Sequence, residues 1–184
     1  KNAEGKHLTI KVAPRKGNYK GMLDTRRVSV VLESLLPPMS IKVNGTEVPY
    51  SRFASFDQND GKQVWGYDGS KLQTQIWLTE ASADQAIEIV CTFEKEISEQ
   101  IALLSGKKGL FTRMTLITPE AKLRFSQMHI ADIQLPAELM SVAQGGSFIT
   151  EDPANAEKYI HALDIEAMNS NLASWEKLSS RTSR

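Results

Sequence analysis

The sequence predicts an antiparallel β-sandwich, immunoglobulin-like or jelly-roll-like, followed by an α-helical C-terminal subdomain, α+β overall. Three observations predict it. Between Lys6 and Glu94 the apolar residues recur with period two in HLTIKV, RVSVVLESL, IKVNGTEV, LQTQIWL and AIEIVCTF. Clusters of Gly, Asn, Asp and Pro separate these runs at the spacing of sandwich turns. After Glu94 the period becomes helical. The expected domains are therefore a sandwich over residues 1–94 and a helical extension over 95–184. No Pro/Gly/Ser linker lies at the junction, so the extension is expected to be packed on the sandwich rather than tethered to it.

Taken in order, the first turn is GNYKGM, where Gly17 and Gly21 permit a chain reversal and Tyr19 and Met22 are expected to cover the end of the core. In RVSVVLESL, Val28 and Val30 share a face, but Val31 follows directly, so either a bulge intervenes or both faces are covered. Asn44-Gly45 in VNGTEV is a strong hairpin signal, because a two-residue turn needs positive φ at both positions. Asn44-Gly45-Thr46 also matches a glycosylation acceptor, although the hairpin explains the residues without it. In LQTQIWL, Leu72, Thr74 and Ile76 face one way and Gln73, Gln75 and Trp77 the other, as in a strand with one solvated side.

In EISEQIALLSGKKG, Ile97, Ile101 and Leu104 form one stripe and Gly106 is placed to end the helix. Thr118-Pro119-Glu120 and Asp152-Pro153 each put a capping side chain before a proline suited to the first helical position. LPAELMSVAQGG predicts a helix from Pro136 to Gln144 stopped by two glycines. Ile165, Met168, Leu172 and Trp175 recur at gaps of three and four, and the tail SSRTSR is expected to fray.

Composition narrows the functions. The 184 residues carry 22 basic and 22 acidic side chains spread over both halves, so no one-signed field favours nucleic acid as a partner. No apolar run approaches the ~20 residues that span a bilayer, so no membrane partner is expected. The chain begins without Met, which suggests a processed or excised piece of something longer, whose export signal would lie elsewhere. Its single cysteine, Cys91, excludes a disulfide framework and sits in a run that favours burial over nucleophilic chemistry.

Catalytic and metal-binding patterns are sparse, and no catalytic, cofactor-binding or metal residue is assigned. His7, His129 and His161 fall in no metal-ligand spacing, and the Glu157/His161 pair reads as a helix-face coincidence. FDQNDGK departs from a calcium loop and reads as a polar turn at Asp57 to Gly61. QGGSF lacks the context of a phosphate loop, and the acids Asp24, Asp60 and Asp68 fall at edges and turns. One constellation remains: Tyr19, Trp65, Tyr67 and Trp77 could hold a sugar ring, or Trp65 and Tyr67 could simply pack the sandwich or its interface with another domain.

The order LTIKVAPRKGNYKGMLDTRRVSVVL, IKVNGTEV, VWGYDG, LQTQIWL and AIEIVCTFE resembles the distal C-terminal β-sandwich domain of glycoside hydrolase family 31, which includes α-glucosidases and α-xylosidases. The resemblance covers roughly Lys6 to Glu94, and its most specific residues are Gly17, Tyr19, Gly21, Met22, Arg26, Asn44, Gly45, Tyr67 and Asp68. It implies that the retaining chemistry belongs to two aspartates on a (β/α)8 barrel that this chain does not contain, so no catalytic residue carries over. It implies an accessory domain whose partner is the barrel of the same parent chain, in a bacterial and periplasmic or exported enzyme. Alternatives are a carbohydrate-binding module for oligo- or polysaccharide using Trp65, Tyr67 and Trp77, and a subunit-interaction module through the helical half. Within the motif, Arg26 or Arg27 is expected to reach Asp68, a pair worth under about 1 kcal/mol if exposed.

Overall fold

A computed structural model describes residues 2–17, 19–52, 62–128 and 137–181. The predicted turn at Asp57 to Gly61, Asp60, His129, the helix start at Pro136, the side chain of Trp175 and the tail side chains lie outside the described residues. The described residues form two antiparallel sheets of eight strands and five α-helices, a mixed α+β chain with a sandwich-like strand region. Two compact units result: one holds the chain through Ala102 except Gly69–Leu72, and the other holds Gly69–Leu72 with the chain from Leu103.

In the first unit, β1 (Asn2–Glu4), β2 (His7–Val12), β4 (Ser40–Val43), β5 (Thr46–Val48) and β8 (Ile87–Thr92) form a sheet in the order β1-β2-β8-β4-β5. The second sheet runs β3 (Thr25–Glu33), β7 (Gln73–Ser82), β6 (Val64–Asp68). Alternation decides which side chains turn inward. Leu8, Ile41, Ile89 and Cys91 from the larger sheet meet Leu32, Trp65, Ile76 and Leu78 from the smaller one in a single buried cluster. Burial pushes the Cys91 thiol up to about 12, so it is a core residue at neutral pH.

The hairpin between β4 and β5 turns at Asn44 and Gly45 with φ of 49° and 82°, the geometry their sequence demands. Asn44 is also tied to β8, its Oδ1 accepting from the Glu88 N–H at 2.8 Å. The bulge in β3 pairing falls between Arg26 and Val28, where β7 contributes the extra residue and Glu80 adopts φ of 53°. Val31 therefore needs neither expected explanation. It continues the outward alternation and is 47% exposed.

After β3 the segment Ser34 to Pro38 crosses the end of the core, and its backbone must find partners where no ladder exists. The buried Tyr67 hydroxyl donates to the Leu35 carbonyl at 3.0 Å, and the Leu36 N–H donates to Gln100 Oε1 at 2.9 Å. Gln100 in turn donates to the Lys95 carbonyl at 2.9 Å. This corrects the expected stripe of α1 (Ile97–Leu104). Ile97 and Leu104 are buried, but Gln100, 1% exposed, takes the place between them, and Ile101 is 54% exposed. A polar side chain with two backbone partners outranks an isoleucine there because the Leu36 amide would otherwise be orphaned.

The second unit contains α2 (Lys107–Met128), α3 (Ala137–Glu151), a 3-10 turn at Pro153–Asn155, α4 (Ala156–His161) and α5 (Ile165–Arg181). Gly106 has φ of 73° and separates α1 from α2, as a C-terminal glycine should. Two expectations are corrected here. Pro119 does not open a helix but lies inside α2, and Thr118 donates back to the Met114 carbonyl at 2.7 Å instead of capping. The buried stripe Phe111, Met114, Thr118 runs through this point at helical spacing, and its packing holds the helix across the proline.

Nor do Gly145 and Gly146 stop α3, which continues to Glu151. The turn Gly69–Leu72 packs on this stretch. The Gly69 N–H donates to Thr150 Oγ1 at 2.8 Å, and Thr115 Oγ1 donates to the Ser70 carbonyl at 2.8 Å. A Cβ on Gly146 would stand 3.1 Å from Ser70 Cα, so the glycine marks a close backbone approach rather than a helix end. Asp152 precedes Pro153 as predicted, but its carboxylate accepts from Asn155 Nδ2 at 2.6 Å and makes no cap bond to the backbone. In α5, Met168 and Leu172 are buried as their spacing predicts. Its N-terminus is capped by Asp164, whose Oδ1 accepts from the Glu166 and Ala167 N–H groups at 2.9 and 3.1 Å.

Candidate functional site: the aromatic strand and the glycine turn

Strand β6 carries the two most prominent candidates, and its register decides their fate. Trp65 lies opposite Ile76 and Tyr67 opposite Thr74, both pairs on the inner face of the smaller sheet. Trp65 is 5% exposed and makes an edge contact with Tyr50, ring centroids 4.8 Å apart. Its backbone is fixed as well, the N–H donating to the Pro49 carbonyl at 3.1 Å and the carbonyl accepting from Ser51 at 2.8 Å. Tyr67 is 2% exposed, and burial, with the neighbouring Asp68 charge adding to it, pushes its phenol well above the usual range. Neither ring presents a face to a sugar.

The other two aromatics lie elsewhere. Trp77 alternates outward with Gln73 and Gln75, is half-buried, and stands opposite Ser29 and Val64. Tyr19 is 67% exposed in the connection between β2 and β3, so it does not cover the end of the core; Met22 is half-buried. The structure thus divides the four aromatics between an enclosed pair, an outer-face ring and a loop ring.

In the glycine turn, Gly17 and Gly21 have φ of 83° and 88°, and the Met22 N–H donates to the Tyr19 carbonyl at 3.2 Å. A Cβ on Gly21 would meet nothing within 4 Å, so substitution there acts through backbone strain alone. Gly21→Val should therefore cost about 1–3 kcal/mol, a loss of several degrees in Tm; an unchanged melting curve would remove the strain argument.

The expected pair between Asp68 and Arg26 or Arg27 is ruled out by register. Asp68 aligns through Gln73 with Glu33, at the far end of β3 from Arg26 and Arg27, about 20 Å away at strand rise. Arg26 Nη2 donates instead to the Ala13 carbonyl at 3.3 Å. The residue that anchors the turn is Arg15, which no motif singled out. Its guanidinium holds Asp84 with two hydrogen bonds, one of 3.0 Å from Nη2, and donates to the Leu23 carbonyl at 2.6 Å, with Asp24 Oδ1 3.4 Å away. The hydrogen bond to Asp84 is the main influence raising the pKa of the guanidinium. Backbone bonds from Arg15 N to Ala83 O and from Ala83 N to Asp24 O close the same arrangement at 2.8 and 2.9 Å. Its donors face in to the chain itself, which makes the cluster a clasp.

Acid–base and metal chemistry find little to work with among these positions. Asp24 and Asp68 lie at opposite ends of β7, about 30 Å apart at strand rise, whereas glycoside cleavage places its two carboxylates within roughly 10 Å. His161 Nε2 sits 3.1 Å from Glu157 Oε1 on an exposed helix face, and His7 Nδ1 is 3.3 Å from Thr92 Oγ1. Among the described residues no group of three or more His, Cys, Asp or Glu side chains is placed to hold a metal ion, and no helix is long and apolar enough to cross a membrane. Compared with known proteins, the chain matches no family model and no curated sequence.

Proposed function

We propose that this chain is a non-catalytic accessory domain of an α-glycosidase of glycoside hydrolase family 31, α-glucosidase-like or α-xylosidase-like. Its partner would be the (β/α)8 barrel of the same parent protein, in a bacterial and periplasmic or exported enzyme. An immunoglobulin-like or jelly-roll-like sandwich is the finer reading of its strand region. The observation that carries the accessory role is the enclosure of Trp65 and Tyr67, the aromatic pair of the resembling segment. Their rings are spent on packing, which favours a folding role for the motif over a sugar platform. The positive φ values at Gly17, Gly21, Asn44 and Gly45 give the other motif residues a structural reason as well. Exposed apolar side chains on the strand unit, Leu23 and Met39 among them, suit a surface that meets another domain.

Trp77 on the outer face favours a second reading, a carbohydrate-binding module, and one titration separates the two. Maltooligosaccharides and xyloglucan oligosaccharides added to millimolar concentration should leave the tryptophan fluorescence unchanged. A saturable shift abolished by Trp77→Ala would make the chain a sugar-binding module, and hydrolysis of aryl α-glucosides or α-xylosides by the chain alone would overturn the non-catalytic reading.

A further inference from the structure

We propose that the outer edge of β3 is a self-association surface, on which two copies of the chain pair antiparallel about a two-fold axis at Val30. This does not rest on the glycosidase reading. Two independent observations carry it. The first is the edge itself. β3 is nine residues long and is the terminal strand of its sheet, with β7 on one side only among the described residues. Its stretch from Val28 to Glu33 pairs with β7 in unbroken register, so the edge stays regular there. Long apolar edges of this kind are templates for another strand unless a charge, proline or bulge interrupts them. Here the charges Arg27 and Glu33 stand only at the two ends of the pairing stretch, the extra residue of the bulge is on β7 opposite Arg27 and not on β3, and Val31 is exposed in the middle. Beside this edge an apolar groove of about 390 Å³ opens between β2 and β3, lined by Leu8, Ile10 and Val30 to Glu33.

The second observation is the pattern of charge along the strand, TRRVSVVLE. In an antiparallel pair centred on Val30, residue 27 of one copy lies opposite residue 33 of the other. Arg27 then faces Glu33 twice, once at each end, and Val28 faces Leu32 twice. Cross-strand partners have Cβ atoms about 4.5–5.5 Å apart, close enough for both kinds of pair to contribute. A shift of register by two residues would lose both ion pairs. The self-complementarity is that of an isologous interface, which demands that position i meet j and j meet i. Arg27 and Glu33 already make contacts within the chain, which pairing would exchange for the intermolecular ones. The interface is a single strand from each copy with its flanking groove, so the dimer should be weak.

Sedimentation equilibrium from about 1 to about 500 µM tests this, since association shifts with protomer concentration by mass action. The wild-type chain should pass from monomer to dimer over that range. Arg27→Glu alone, or Glu33→Arg alone, sets like charges opposite each other at both ends and should weaken the dimer by about tenfold or more. The combined Arg27→Glu/Glu33→Arg variant exchanges the two signs and should restore the wild-type constant to within about threefold. Both side chains are exposed, so circular dichroism and melting curves should confirm that each variant folds. A chain that stays monomeric throughout, a dimer indifferent to Arg27→Glu, or a double variant as weak as the singles would each overturn the proposal; the last two would assign association to another surface.

Discussion

Gly69→Ala should destabilise the protein by about 3 kcal/mol or more, at the upper end of overpacking. The glycine lies in the turn between β6 and β7, and an added Cβ would overlap the Gly146 carbonyl oxygen and fall 2.7 Å from the Thr150 N and 2.8 Å from Ile149 Cβ. None of these is the far end of a flexible side chain. They belong to α3, whose own hydrogen bonds resist displacement, so the turn itself must lift away and lose the bond from Gly69 N–H to Thr150 Oγ1. The φ of Gly69 is not in the left-handed region, which makes the effect one of contact and not of backbone strain. Gly145 supplies the control. It is one residue from the approach, a Cβ there meets nothing within 4 Å, and alanine favours a helix interior by about 0.5–1 kcal/mol. Gly145→Ala should therefore melt at or slightly above the wild-type temperature, while Gly69→Ala should lose on the order of 6–12 °C at about 2–4 °C per kcal/mol. Equal melting curves for the two variants would mean that the turn does not touch α3.

Why local reading placed the end of α3 at these glycines follows from the same contact. Glycine is a good helix terminator when nothing else is known, and the reason for keeping Gly146 inside a helix lies about 75 residues away in sequence, at Gly69 and Ser70. Pro119 misleads for a similar reason: its dipeptide has the form of a helix start, but the stripe Phe111, Met114, Thr118 carries the helix past it. Strands are more legible, because alternation is itself the signature of a half-buried strand and the Asn44-Gly45 turn needs only local geometry. Charge partners were the least legible. Arg15 and Asp84 are 69 residues apart and meet because β2 and the end of β7 converge there, whereas Arg26 and Asp68 are separated by the length of β7. No spacing rule reports either fact. For Trp65 and Tyr67 the ambiguity was inherent, since alternate positions on a strand put two rings on one face whether that face is solvated or enclosed. Only packing decides.

Trp65→Ala should cost about 3–5 kcal/mol, the range for removing a large aromatic from a packed interior. The indole sits in the cluster shared by both sheets, opposite Ile76 and against the edge of Tyr50. The backbone on both sides of it is held by Pro49 and Ser51, so the strand cannot slide inward to fill the space. Trp77→Ala removes a ring that is only half-buried on the outer face, and its smaller loss of apolar burial should cost less than half as much. The difference bears directly on function. A sugar titration that loses its signal in Trp65→Ala would be reporting a damaged fold, while the same loss in Trp77→Ala, with melting close to wild type, would be reporting a lost contact. Thermal denaturation of the two variants should therefore precede any binding measurement, with Trp65→Ala falling by at least about 6 °C. If it melted with the wild type instead, the indole would not be enclosed, and Trp65 would return to the surface where a sugar can reach it.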